Sequence, residues 1–239
     1  HDSNMSGRFF EELGIPAPDV NLGVGEGSQA EQTAAIMIGF EKVLEQEKPD
    51  LCLVVGDVNS TMACAIVARK MGVEVAHVEA GIRSRDWSMP EEINRIVTDS
   101  ISNYFFTTSE SAGKNLEKEG AKREAIFFVG NTMIDTLQKN MPGFRKPGIW
   151  DQFNLEAGEY FVLTLHRPAN VDEENRLLGF SREIRAHSRK LPIIFPVHPR
   201  TGKTIQVLLE KAGGSLRIAL EGLHLCEPLS YLEFNFLVK

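Results

Sequence analysis

Residues 51–81, LCLVVGDVNSTMACAIVARKMGVEVAHVEAG, run from an apolar strand-length stretch into Gly-Asp, through a helical segment, and into a second apolar stretch that ends in His-Val-Glu-Ala-Gly. Two such stretches joined by a helix read as neighbouring strands of a parallel sheet, since parallel strands need a crossover of a dozen or more residues. Open parallel sheets bind ligands outside the carboxyl ends of their strands. Asp57 and Glu79 stand just past two such ends, where chemistry is usually done.

The alternation continues along the chain. Strand-length apolar runs recur at 104–107, 126–129, 160–165, 193–197 and 216–220, and their unbroken hydrophobicity suits parallel strands covered on both faces. Helical patterns fill 28–46, 60–71, 90–102, 109–118, 132–139, 173–190 and 201–211. Ser28 with Glu31 forms a capping-box pattern, and Pro90 suits a first helical position. The class is therefore α/β. MPGFRKPGIW, residues 141–150, has two prolines, two glycines and no regular pattern, so it reads as a linker between domains at 1–142 and 150–239.

Composition narrows the function. With 26 basic and 33 acidic residues the chain has a formal charge of −7, which gives no broad attraction to nucleic acid or an anionic membrane. No apolar run nears the roughly 20 residues of a membrane span, and nothing at the start resembles a signal peptide, so a soluble protein is expected. Cys52, Cys64 and Cys226 lack metal-ligand spacing and read as buried thiols in a reducing compartment. The chain opens on His1 and ends within an apolar pattern at Lys239, so a fragment is expected.

Several residues could carry chemistry, each with a plainer alternative. Asp57 either faces the crevice or caps the helix that follows. Glu79 closes an apolar run, where a carboxylate needs a partner or a shifted pKa. Glu91 and Glu92 open PEEINR either as functional acids or as first-turn acids suited to the helix dipole, with Glu91 facing Arg95 at i, i+4. His166, Arg167 and Asn170 in LHRPANVD, and His198 and Arg200 in VHPR, each follow an apolar run; imidazole with guanidinium suits proton transfer and phosphate binding. The glycines of GVGEG, residues 23–27, follow no clear strand, so a flexible loop is preferred over a dinucleotide fingerprint. His77 reads as a satisfied core histidine.

In order, GDVNST, HVEAGIRS, PEEINR, VGNTMIDTL, LHRPANVD and PVHPR resemble the blocks of the non-hydrolysing UDP-N-acetylglucosamine 2-epimerase family over most of the chain. The resemblance implies two Rossmann-like domains facing across a cleft, the GT-B-like architecture, truncated here at both ends. It implies reversible inversion at C2 of UDP-N-acetylglucosamine to UDP-N-acetylmannosamine through elimination and re-addition of UDP. Asp57, Glu79, Glu91 and His166 match the catalytic residues. Arg95 matches an arginine beside them, and Arg167, Asn170, His198 and Arg200 are expected to bind substrate. No cofactor or metal is implied, and a cytoplasmic homodimer is expected. Three departures stand out. Ala169 replaces a frequent glutamate, and the opening strand with its Gly-Thr-Arg-Pro-Glu turn is absent, as is the Ser-Gly-Gly…Glu segment that holds the diphosphate. The acids are thus retained while much of the nucleotide grip is not, so weak or no turnover is expected of this fragment. Alternative readings are a hydrolysing relative that releases N-acetylmannosamine, an epimerase for a 2,3-diacetamido uronic acid, a glycosyltransferase, and a nucleotide-sugar-binding remnant.

Overall fold

The computed structural model describes residues 10–25, 27–164, 179, 183–184, 186–188, 191–197, 202 and 223–239. One compact unit spans Pro16–Lys139, and a second spans Asn140–Lys239 with the stretch that ends at Ile15.

The first unit alternates helix and strand in the order α1 (Gln29–Glu47), β1 (Leu51–Val55), α2 (Asn59–Lys70), β2 (Glu74–Val78), α3 (Pro90–Ile101), β3 (Tyr104–Thr107), α4 (Glu110–Lys118), β4 (Ile126–Phe128) and α5 (Thr132–Asn140). The strands form one parallel sheet in the order β1-β2-β3-β4. The expected α/β pattern holds here to within a residue or two at most ends. Ser28 starts α1 by a capping box: its hydroxyl accepts from the Glu31 N–H at 3.2 Å and its N–H donates to the Glu31 carboxylate at 2.8 Å. Pro90 opens α3 at the position its missing N–H favours.

Small side chains bring α2 onto the sheet. Ala63, Ala65 and Ala68 are fully buried, and Ala65, Val67 and Ala68 share a core with Leu44 of α1, Cys52 and Val54 of β1, and Val75 of β2. A second cluster sets Ala80 and Phe105 against Leu116 of α4. Double-sided burial, expected for every strand, fails at β1. Cys52 and Val54 are buried, but Leu51, Leu53 and Val55 on the other face are 45%, 58% and 54% exposed, because α1 and α2 cover one face and no described element covers the other.

The second unit contains a three-stranded parallel sheet, β5 (Phe161–Val162), β6 (Ile193–Pro196) and β7 (Leu223–Cys226). Its core joins Leu155, Ile194 and Leu237, with Trp150 edge-to-face on Tyr160 and Phe236. The presumed linker contributes to this core: Met141–Gly143 forms a helical turn, α6 (Ile149–Gln152) a short helix, and Ile149 and Trp150 pack inward. The prolines that argued for irregular chain sit at turn and helix starts. The closing helix α7 (Tyr231–Val238) carries a Ser230–Glu233 capping box. Strand β7 went unrecognised because His224 interrupts a short apolar run; the helices expected at 173–190 and 201–211 and the strand at 216–220 lie wholly or mostly outside the described residues.

Among the described glycines, Gly81 leaves an added side chain the least room. Its φ is +78°, and a Cβ there would lie 2.3 Å from the Ala112 carbonyl oxygen and 2.9 Å from Leu116 Cγ. Gly81→Ala is expected to cost about 3 kcal/mol or more, from overpacking and left-handed strain together, read as a lower urea midpoint. A change within about 0.5 kcal/mol, the usual span for surface substitutions, would contradict this packing.

Candidate active site

Strand register sets the site. Val55 pairs with Val78 and Val78 with Phe106, so the first three strands end level, and the turns beyond β1 and β2 lie side by side. Gly56, at φ +71°, donates its N–H to the Val78 carbonyl at 3.0 Å and bends the chain sharply, delivering Asp57. Glu79 follows β2 in the left-handed region, φ 69°, which costs a residue with a Cβ roughly 1–2 kcal/mol. A carboxylate held at a strained strand end is a functional signal. The two turns abut: a Cβ on Gly56 would lie 3.5 Å from Glu79 Oε2. Glu79 is half-buried, and no described residue donates to its carboxylate.

Asp57 shares a cleft of about 860 Å³ with Glu91, which opens α3. The far wall is the Asn21–Gly25 loop with Gln29 and Gln32 of α1. Gly23 and Gly25 thus border the site, in a loop that no strand precedes among the described residues. Cys64 also lines the cleft; burial, reinforced by the neighbouring Cys52 thiol, pushes its pKa up to about 12, so it is a poor nucleophile.

Asp57 is not the helix cap. Val58 occupies that position with no side-chain hydrogen bond, and the Asp57 Oδ2 instead accepts from Arg95 Nη2 at 2.5 Å. Arg95 also departs from the expected pairing with Glu91: its Nη1 donates to Glu92 Oε2 at 3.0 Å. One helical step explains this, because Glu92 at i, i+3 lies on the buried side of α3, whereas Glu91 faces the cleft. Glu92 is 1% exposed. Burial alone would raise its pKa, yet the N–H groups of Ser84 and Arg85, the Arg95 guanidinium and the Ser84 hydroxyl outweigh it and hold the carboxyl at about 2. Asn94 completes the frame, donating to the Asp57 carbonyl at 2.8 Å and to Asn59 Oδ1 at 3.3 Å.

A second buried network lies below the turns. His77 places Nε2 2.8 Å from the Gly56 carbonyl and Nδ1 2.6 Å from Asp99 Oδ1. Asp99 Oδ2 accepts from the Gly81 N–H at 3.0 Å and from Arg83 at 2.7 Å. His77 is thus the satisfied core histidine the sequence indicated.

Among the expected site residues, Asp57, Glu79, Glu91 and Arg95 come together at one sheet edge. His166, Arg167, Asn170, His198 and Arg200 lie outside the described residues. The supporting roles of Glu92, Asn94 and Asp99 were missed; a polar triplet at i, i+3 and i+7 of an otherwise amphipathic helix (Glu92, Arg95, Asp99) was the available signal. Among the described residues no cluster of His, Cys, Asp or Glu is arranged to hold a metal ion, and no helix is long and apolar enough to cross a membrane.

Glu92→Gln is expected to lower stability at pH 7 by about 3 kcal/mol, since it leaves Arg95 short of a buried partner. A depressed carboxyl pKa stabilises the fold above the ordinary value of 4.5, and the contribution is lost as pH falls toward about 2. Urea unfolding across that window should show the gap between parent and variant closing. A gap that stays constant with pH would contradict the assignment.

The sequence profile of the UDP-N-acetylglucosamine 2-epimerase family matches residues 1–239. A UDP-N-acetylglucosamine 2-epimerase of Methanocaldococcus jannaschii is 44% identical, covering 100% of this chain and 66% of the relative. A UDP-2,3-diacetamido-2,3-dideoxy-D-glucuronate 2-epimerase of Pseudomonas aeruginosa is 37% identical over 100% of this chain and 64% of its own length. The crystal structure of the M. jannaschii protein in complex with UDP-GlcNAc and UDP superposes with a TM-score of 0.82 at 41% identity, covering 99% of this chain and 66% of that one. The chain spans about two thirds of the length of these relatives. With the profile matched from end to end and the level strand ends carrying GDVNST and HVEAGIRS, the chain belongs to the UDP-N-acetylglucosamine 2-epimerase family.

Proposed function

We propose that the protein inverts C2 of UDP-N-acetylglucosamine reversibly, giving UDP-N-acetylmannosamine. The C2–H bond and the C1–O bond to UDP break, 2-acetamidoglucal forms with a C1–C2 double bond, and UDP adds back at C1 as a proton returns to the opposite face of C2. The chemistry needs a positioned base on one face, an acid on the other and stabilisation of the departing diphosphate. The observation that carries this reading is the meeting of Asp57 and Glu91 in one cleft, with Glu79 on the adjoining strand end. These three, with His166, are the proposed proton-transfer groups.

Arg95 donates from Nη1 to Glu92 and from Nη2 to Asp57, which favours a role in holding Asp57 over direct contact with the sugar nucleotide. Arg167, Asn170, His198 and Arg200 are proposed to bind the nucleotide, which makes the second unit the nucleotide-binding one. Elimination and re-addition leave the sugar's oxidation state unchanged, so the reaction calls on no nicotinamide. A cytoplasmic homodimer completes the reading, by family likeness. The P. aeruginosa relative supports a second substrate, a UDP-2,3-diacetamido uronic acid.

Incubation of the full-length protein with UDP-N-acetylglucosamine in D₂O, followed by NMR, tests the proposal. Deuterium at C2 with UDP-N-acetylmannosamine present is expected. Free N-acetylmannosamine and UDP would place the protein among hydrolysing relatives, and neither deuterium nor a new sugar would overturn epimerisation of this substrate. Asp57→Asn, Glu79→Gln and Glu91→Gln should each slow turnover by about 10² or more, the usual contribution of a positioned acid or base, with folding retained.

A further inference from the structure

We propose that His77 is the positioning residue of the site, a buried imidazole that fastens the turn bearing Asp57 to the turn bearing Glu79. The inference rests on the reading above, in which Glu79 takes part in proton transfer. His77 is fully buried on β2, two residues before Glu79, and reaches both turns. Its Nε2 meets the Gly56 carbonyl at 2.8 Å. A carbonyl oxygen only accepts, so this nitrogen carries a hydrogen. Its Nδ1 meets Asp99 Oδ1 at 2.6 Å, and that contact between two potential acceptors requires another proton, shared by the pair.

Asp99 then ties the assembly to the second turn. Its Oδ2 accepts from the Gly81 N–H, two residues after Glu79, and from Arg83, whose Nε and Nη2 are held in turn by Glu119 at 2.9 and 2.5 Å. Gly56 is bound twice to β2, through His77 and through its own N–H on Val78. Glu79 therefore sits in a left-handed turn braced on either side, at residues 77 and 81, by groups that converge on one buried carboxylate. Such bracing keeps a strained residue in place, because the surrounding bonds over-determine its backbone. His77 is not among the described residues that line the cleft, so its contribution to turnover runs through Glu79 and Gly56.

The test uses variants that each keep one link. An asparagine amide reaches about as far as Nδ1, and a glutamine amide about as far as Nε2, so His77→Asn keeps the Asp99 link and His77→Gln the Gly56 link. Each is expected to lower kcat about 30-fold with KM within about twofold, an effect of geometry on general acid–base catalysis. In a Glu79→Gln background the same substitutions should slow turnover several-fold less than in the parent, because the share that runs through Glu79 is already lost and sites that act through one group are not additive. Equal slowing in both backgrounds would overturn the proposal. Amide hydrogen exchange provides a readout that does not need turnover: the N–H of Gly56 should exchange faster in His77→Asn, the N–H of Gly81 faster in His77→Gln, and those of α4 unchanged in both. Unchanged exchange at Gly56 and Gly81 would overturn the proposal whether or not epimerisation is seen. Absence of C2 deuteration in the parent protein, with faster exchange in the variants, would strike only the functional reading. If neither variant nor Asp99→Asn folds while Glu79→Gln does, His77 is a determinant of folding and the proposal fails.

Discussion

The Arg95 guanidinium lies between two carboxylates, the buried Glu92 and the half-buried Asp57. A carboxylate as deeply buried as Glu92 is tolerable only when its lone pairs are met, and two backbone N–H groups, a hydroxyl and the guanidinium meet them. Glu92 in turn fixes Arg95, and the fixed arginine fixes Asp57, which hangs on a turn that a helix cap would otherwise have claimed. The plane and fork of a guanidinium suit it to bridging two carboxylates at set angles. The position of the first acid in the cleft thus depends on an ion pair that faces away from the cleft.

Helix α3 is where the fold and the site meet. Glu92, Arg95 and Asp99, at i, i+3 and i+7, line its inward side, while Glu91, one residue before Glu92, points into the cleft. Arg95 reaches the turn after β1, and Asp99 reaches the turn after β2 and the histidine beneath it. Level strand ends, a consequence of the parallel register, bring both turns within reach of one helix. The strain at Glu79 and the close approach at Gly81 are local costs of this arrangement, offset by the buried polar bonds around them.

The first unit was legible because its signals are local. Apolar runs of strand length, a capping box at Ser28 and a first-turn proline at Pro90 each act within a few residues, and each appears where the sequence placed it. The acids at the strand ends were legible for the same reason, since topology alone puts Asp57 and Glu79 at the carboxyl edge. Partner choice was not legible. Whether Asp57 caps a helix or binds Arg95, and whether Arg95 takes Glu91 or Glu92, depends on burial from elements far along the chain. The same holds for β1, whose hydrophobicity implied cover on both faces while one face is exposed among the described elements. In the second unit, Pro142 and Pro147 suggested irregular chain, but prolines also start helical turns, and Ile149 and Trp150 beside them pack into a core.

Central to the proposed function is that Arg95 acts through Asp57 and not through the sugar nucleotide. Steady-state kinetics of Arg95→Lys with UDP-N-acetylglucosamine tests this most directly, because an ammonium keeps the charge but cannot bridge two carboxylates in the same plane. The expected result is a fall in kcat of about 10-fold or more with KM changed by less than about threefold, the pattern of a group that serves the transition state. A large rise in KM with kcat preserved would contradict the account and place Arg95 on the substrate.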